Sequence, residues 1–441
     1  MNMRYLEISL QSNEILAQKL YLQFYFPAMQ LSKLIQQMMK EPSPIRQIMK
    51  MASKQNIINM GLDPDEVISY GGGWVGHHAP EGLRKKYEEI CKDRESFHDA
   101  GKYSPTLGFE ECREAIAKME KELFGVKLSI ENIIIGQSST QLTHDLFIAL
   151  ANPDDTILLF DPTYANYPGQ IKMALRNAKI VRQRVLDVET WEYKSQEEMA
   201  EDFKEIYEKE KPKIVMFPSP DNPSSQVFGD EFVKTMADIC YENGSFLIID
   251  YAYKTQCFIK PPNYFSWNPS DYPNVIAMHS NSKWCRGLGR RLGWVDANEE
   301  IIEAMERVQQ CSILCPDTLH QFAMAEYINE ALKDGSLKKY LEDVKEAYKK
   351  AADETIKAIN DLLEMPCLIP QGGLYTLMKV GEDADEFVRK VLKNTGVLFI
   401  PGRGFGESLR EAVRISYGPH VENLEIIRKG FERVANYLRK A

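Results

Sequence analysis

From Ile133 onward the chain alternates short apolar runs with longer stretches of amphipathic period. The runs read "IIIG", "TILLFD", "KIVMFPSP", "FLIIDYAY", "NVIAMHS" and "RLGWVDA", starting at Ile133, Thr156, Lys213, Phe246, Asn274 and Arg291. Each is bounded by turn residues, and the intervals leave room for crossover helices, the rhythm of a mostly parallel sheet. One such run alone could be a buried helix segment; a succession of six predicts strands. The stretch from Asp317 to Lys357 is long, charged and helical in period, and leads out of this sheet. After it, "GLYTLMKV" and "EAVRISYG" predict strands of a smaller unit. The helical "DADEFVRKVLKNTG" lies between them, and "HVENLEIIRKGFERVANYLRKA" closes the chain. Residues before about Ala100 contain no strand series and are expected to complete the smaller unit.

At 441 residues the chain is too long for one simple core, so two or three domains, or one large domain with a smaller companion, are expected. A hydrophobic share of 44% and a charged share of 27% are those of ordinary globular proteins. The net charge of -10 opposes nucleic acid and anionic membrane, and no basic patch stands out beyond residues 279–295. The eight cysteines show no CxxC pair and no metal-ligand spacing, which predicts reduced thiols of a cytoplasmic protein and no metal site. The aromatic stretch "LYLQFYFPAM", Leu20 to Met29, is too short to span a bilayer. It lacks a basic leader and a cleavage site, so an added helical element packing on the domain or on a partner subunit is expected.

The cations concentrate in "HSNSKWCRGLGRRLGWV", His279 to Val295. A lysine set among small residues just after an apolar strand can be drawn into a desolvated site, where its pKa falls and its amine becomes nucleophilic. Lys283 fits that description and suits Schiff-base chemistry. Arginines nearby depress its pKa further and can hold an anion, and Ser280 and Ser282 add hydroxyl donors. Upstream, "IIIGQSSTQ" passes from strand to helix at Gly136, so the backbone N–H groups of the helix start and the Ser138 hydroxyl can face a phosphate. Taken singly, these features are also what a solvated loop and a serine helix cap look like.

Together they resemble the class I/II aminotransferases, pyridoxal-phosphate enzymes of fold type I with aspartate aminotransferase-like sequences. The family pattern is Ser-x-Ser-Lys with an arginine eight positions on, matched by Ser280, Ser282, Lys283 and Arg291. The resemblance implies that Lys283 is the catalytic residue carrying pyridoxal 5′-phosphate as a Schiff base, with Ser280 and Arg291 on its phosphate. Gln137 and Ser138 would complete the phosphate cup, with Ser139 as runner-up. Asp250 would hold the pyridinium nitrogen protonated, and Tyr253 and Asn222 would donate to the cofactor's phenolic oxygen. Tyr164 would stack on the ring, with Tyr167 as the nearby alternative. Tyr103 would reach the phosphate of a neighbouring subunit, implying a homodimer with shared sites. In the smaller unit, Arg414 would hold the substrate α-carboxylate, and Gly72 of "ISYGGG" would permit its close approach. The family's Thr-Gly after Asn-Pro is Ser224-Ser225 here, a departure that puts the turn's geometry in doubt.

The implied fold is α/β: a large domain, residues 101–316, with a mostly parallel seven-stranded-type sheet sandwiched by helices. A smaller α/β domain would comprise 67–100 and 317–441, and 1–66 would be a largely helical extension. The implied reaction moves an amino group from an L-amino acid to a 2-oxo acid, by default 2-oxoglutarate. Aspartate, aromatic amino acids, 2-aminoadipate and alanine all stay open as donors. Dicarboxylate donors need a second cation, for which Arg286, Arg290 and Arg403 are candidates. Trp74, His77 and His78 line the substrate pocket or sit on the surface. Elimination, decarboxylation, racemisation or oxidation on the same cofactor is the alternative, because fold does not fix reaction. A regulator that senses the cofactor is a remote one, opposed by the acidic charge and the absence of a helix-turn-helix pattern.

Overall fold

The computed structural model describes residues 31–40 and 44–440. The aromatic stretch Leu20 to Met29 lies outside them. N-terminal to residue 44, the described residues 31–40 contain the helix Lys33–Lys40.

Seven strands form the main sheet, in the order Ile133–Gly136, Gly293–Asp296, Val275–Ser280, Phe246–Asp250, Ile214–Pro218, Thr156–Asp161, Lys179–Arg184. All neighbours run parallel except Gly293–Asp296, which is antiparallel to both strands beside it. Every residue of Ile133–Gly136, Ile214–Pro218 and Gly293–Asp296 is buried. Helices therefore cover both faces, and the sequence shows continuous apolar runs rather than alternation. One face packs Ile134, Leu159, Ile248 and Met278 against the helices Ser139–Leu150 and Glu299–Ser312; the other packs Phe160, Phe217 and Ile249 against Phe203 and Phe232. The apolar-run reading misses the edge strand Lys179–Arg184, whose sequence KIVRQR carries charge because an edge is only partly covered.

The helical region after Asp317 is two helices, Thr318–Lys333 and Ser336–Leu362, parted at Gly335, whose φ of 76° suits glycine. Thr318–Lys333 packs with Glu81–Lys92 and Glu110–Phe124 over Ile133, Ile135 and Trp294 of the main sheet. A second core gathers Tyr70, Phe387, Phe399 and Phe431 beneath the antiparallel sheet of Tyr375–Lys379, Ala412–Ser416 and Ile400–Pro401. Ile48 and Ile57, from the helices Pro44–Met51 and Lys54–Asn59, join that core, and Ile68–Ser69 pairs in parallel with Val397–Leu398. Among the described residues no helix is long and apolar enough to cross a membrane.

Register decides what meets at the rim of the main sheet. Gly136, Gly293 and Ser280 lie side by side across three strands. A Cβ on Gly293 would sit 2.6 Å from the His279 carbonyl oxygen and 3.0 Å from the Ser139 nitrogen, both backbone atoms that cannot swing aside. The bare backbone here lets the start of helix Ser139–Leu150 settle beside Ser280. Gly293→Ala is therefore expected to destabilise the fold by about 1–3 kcal/mol through overpacking. A lowered midpoint in urea unfolding, with unchanged slope, checks this.

Candidate active site

At the glycine row, Ser138 caps the helix Ser139–Leu150 and is buried; its Oγ accepts from the Gln141 N–H at 3.4 Å. The Gln137 side chain is exposed, while its N–H donates to Gln141 Oε1 at 3.0 Å. Across the row, Ser280 Oγ donates to Ser282 Oγ at 2.9 Å and accepts from the Ser282 N–H at 3.2 Å. Arg291 donates to the Leu288 carbonyl at 2.8 Å and stands 3.5 Å from Ser282 Oγ. A helix N-terminus, hydroxyls and a guanidinium thus converge where an anion would be stabilised.

One strand further in from Ser280, Asp250 ends its strand with a buried carboxylate. It accepts from the Tyr167 hydroxyl at 2.9 Å and from the Ala252 N–H at 3.0 Å. Burial pushes this carboxyl above its ordinary range, against the pull of those hydrogen bonds. Tyr167 is itself buried, whereas Tyr164 is half-buried and meets the Tyr167 ring edge-on at 5.2 Å. Of the two tyrosines, Tyr167 orients the carboxylate and Tyr164 presents the more open ring.

Lys283 lies in the short helix Asn281–Trp284, with its Nζ donating to the Gly73 carbonyl at 2.5 Å and 5.8 Å from the centre of the Tyr253 ring. Burial lowers its pKa, and the cations Arg414 and Arg291 lower it further. The Tyr253 and Tyr375 hydroxyls are 3.1 Å apart. Burial drives Tyr253 well above the phenol range. Burial also works to raise Tyr375, but Lys283 and Arg414 hold it below its ordinary value.

Arg414 comes from the antiparallel sheet and closes the other side. It donates to Asn222 Oδ1 at 3.0 Å and to the Gly71 carbonyl at 2.9 Å, and lies over the Tyr375 and Phe405 rings at 4.3 and 4.7 Å. Its Nε is buried without a hydrogen-bond partner, an unmet donor beside the Asn222 and Gly71 contacts. Gly72 is covered by Trp74, whose ring would lie 2.2 Å from a Cβ there.

The structure thus brings Ser138, Ser280, Arg291, Asp250, Tyr167, Tyr164, Lys283, Tyr253, Asn222, Gly72 and Arg414 to one cleft. Tyr103 is not among them: its side chain is 82% exposed. The three arginines considered for a distal carboxylate are engaged elsewhere. Arg286 donates to the carbonyls of Gly76 and His77, Arg290 lies over the Tyr87 ring, and Arg403 pairs with Asp385 at 3.1 Å. Neither the pocket nor the surface describes His77, which is buried between the Tyr348 hydroxyl and the Trp284 carbonyl; burial lowers its pKa to about 4. His78 is exposed, near Glu422.

Sequence reasoning misses Tyr375 and the Gly73 carbonyl, since a tyrosine in a strand and a glycine in a loop carry no signal of their own. It also leaves the turn after Asn222 in doubt. Ser225 takes up φ 58°, the left-handed conformation a glycine adopts freely, and its Oγ accepts from the Tyr375 N–H at 3.2 Å, which offsets the strain. Arg286 and Arg291 hold the same conformation, each at φ 53°.

The chain is similar to known proteins along most of its length. The family model for aminotransferase class I and II matches residues 76–430. The chain is 26% identical over 389 residues to an aspartate aminotransferase of Pyrococcus horikoshii, covering 87% of this chain and 92% of that protein. It is also 26% identical over 403 residues to an aromatic-amino-acid aminotransferase of Thermococcus litoralis, covering 90% and 96%. Among solved structures, a single mutant of Thermus thermophilus aspartate aminotransferase superposes with a TM-score of 0.80 over 92% of this chain and 99% of that one, at 23% identity. The chain belongs to the aminotransferase class I and II family and is a pyridoxal 5′-phosphate-dependent aminotransferase.

Proposed function

We propose that the enzyme transfers the amino group of a neutral L-amino acid, aromatic ones foremost, to 2-oxoglutarate, with Lys283 as the catalytic residue. The observation that carries this reading is the half-buried Lys283 amine, lowered in pKa and set between the Asp250 carboxylate and the unmet Arg414 donor. The donor set suits the cofactor. Ser138, Ser280, Arg291 and the Gln137 backbone would hold its phosphate, Asp250 its ring nitrogen, Tyr164 its face, and Tyr253 and Asn222 its phenolic oxygen. When bound, pyridoxal phosphate supplies an electrophilic carbon and a conjugated ring that accepts the electrons released at the substrate Cα.

The chain's own groups then have distinct tasks. Arg414 binds the substrate α-carboxylate with its fork of donors; the space a Cβ would need at Gly72 is filled by the Trp74 ring. Asp250, already held by the Tyr167 hydroxyl and the Ala252 N–H, would stay ionised beside a cationic ring nitrogen, which would offset more of the penalty of its burial. The lowered pKa of Lys283 leaves its Nζ unprotonated closer to neutral pH, so it can take the proton from the substrate Cα and hold it as a general acid; the bound cofactor would supply the carbon that receives it. The engagement of Arg286, Arg290 and Arg403 outside the cleft argues for neutral donors over dicarboxylates.

A homodimer belongs to the same proposal, with the exposed Tyr103 reaching the partner's phosphate and the enzyme working in the cytoplasm. So does the division of labour along the chain. Residues 101–316 hold the cofactor, 67–100 and 317–441 complete the site, and 1–66 form an extension.

Lys283→Ala is expected to lower steady-state turnover at least about 10³-fold, the scale of a lost general base. Full turnover in that variant refutes the mechanism. Arg414→Lys keeps the charge but loses the fork, and is expected to lower kcat/KM about 10- to 100-fold, chiefly through KM. Steady-state kinetics over a range of donor concentrations measures it. With 2-oxoglutarate as acceptor, L-phenylalanine or L-tyrosine should exceed L-aspartate in kcat/KM by at least about tenfold, the worth of one charged hydrogen bond. The reverse order overturns the donor assignment.

A further inference from the structure

A second cavity, of 370 Å³, opens between helix Ser336–Leu362 and the segment Pro261–Ser266. None of the residues assigned above to cofactor or substrate lines it. Its apolar wall is Leu123, Phe124, Phe265 and Leu341; its charged groups are Lys254, Lys338, Lys345 and Glu342. Its volume is within the range of small-molecule sites. Three lysines against one glutamate make it locally positive on a chain whose net charge is -10.

The lysines differ in what they already hold. Lys254 is buried, donates to Glu120 Oε2 at 2.9 Å, and lies 4.0 Å from the centre of the Phe124 ring. Its charge is therefore matched from behind. Lys338 and Lys345 are exposed, and among the described residues no carboxylate stands within ion-pair distance of either. Three other lysines of the same helix do pair within it: Lys339 with Asp343, Lys349 with Asp353 and Lys350 with Glu346, at 2.8, 2.8 and 2.7 Å. The helix thus leaves unpaired the two lysines that border the cavity, along with Lys357 near its C-terminal end. They are two turns apart, about 10 Å along the axis, and their flexible four-carbon stems can close on one anion.

We propose that this cavity is a second ligand site, which takes a small organic anion with an apolar body. The carboxylate lies between Lys338 and Lys345, and the body rests on Phe124 and Leu341. A phosphate alone would leave the apolar wall wet, and an uncharged hydrocarbon would leave both ammonium groups unmatched.

The test uses 3-phenylpropionate, which has neither an amino nor an oxo group to exchange, titrated by calorimetry into the full-length, cofactor-loaded enzyme. The wild type is expected to show a binding event that the double variant Lys338→Ala/Lys345→Ala weakens at least tenfold. Leu341→Trp, which fills the cavity, should weaken it likewise. Any binding at Arg414 should persist in both variants, and the steady-state constants of the double variant should stay within twofold of wild type. If 3-phenylpropionate binds the wild type and the double variant alike, or binds neither, the proposal is wrong.

Discussion

One close approach governs the site: the backbone of Gly293 running between Ser280 and the start of helix Ser139–Leu150, with no room for a side chain. The strand that carries Gly293 is the one antiparallel member of the main sheet. It therefore brings the ends of two parallel strands, Gly136 and Ser280, level with each other on either side of it. From that alignment follow the helix cap at Ser138, the hydroxyl pair of Ser280 and Ser282, and the position of Lys283 one short turn later. Binding at such an edge is the general habit of open α/β sheets, but the particular residues that meet depend on one missing Cβ.

The second constraint is electrostatic. The cleft buries Arg414 and Asp250 and half-buries Lys283, with the exposed Arg291 at its edge, a costly arrangement unless each desolvated ion has a partner. Asp250 is held by a phenol and a backbone amide, and Arg414 by an amide oxygen, a carbonyl and two ring faces. Lys283 has a carbonyl, and its amine responds by giving up proton affinity. The Arg414 cation lowers both the lysine and Tyr375, and Lys283 lowers Tyr375 in turn, so the two groups are tuned together rather than separately.

The main sheet was legible because its strands are buried on both faces and read as apolar runs. Lys179–Arg184 was not, since an edge strand with charged positions resembles a loop in sequence. The two helices after Asp317 ran together in the sequence because their period continues across Gly335. Lys283 and its serines stood out as a cation among small residues after an apolar strand, whereas Asp250 and Arg414 were reached only through the resemblance to the family pattern. The carbonyl of Gly73 and the ring of Tyr375 could not be picked out, because what they do depends on tertiary approach and not on residue type. The same holds for the arginines. Their charge is plain in the sequence, yet only the structure shows Arg286, Arg290 and Arg403 turned to other partners.

Ser225, Arg286 and Arg291 hold left-handed backbone where glycine would be at ease, at a cost of roughly 1–2 kcal/mol per residue. Two of them lie in the segment that bears Lys283. An evolving population selected for heat resistance alone would drift toward glycine at these positions and shed a guanidinium at two of them. Selection for turnover would restore the cation at 291 and with it the strain. On the proposed phosphate role of Arg291, its strain is stability given up for function, and a thermostability programme on this enzyme should leave position 291 untouched.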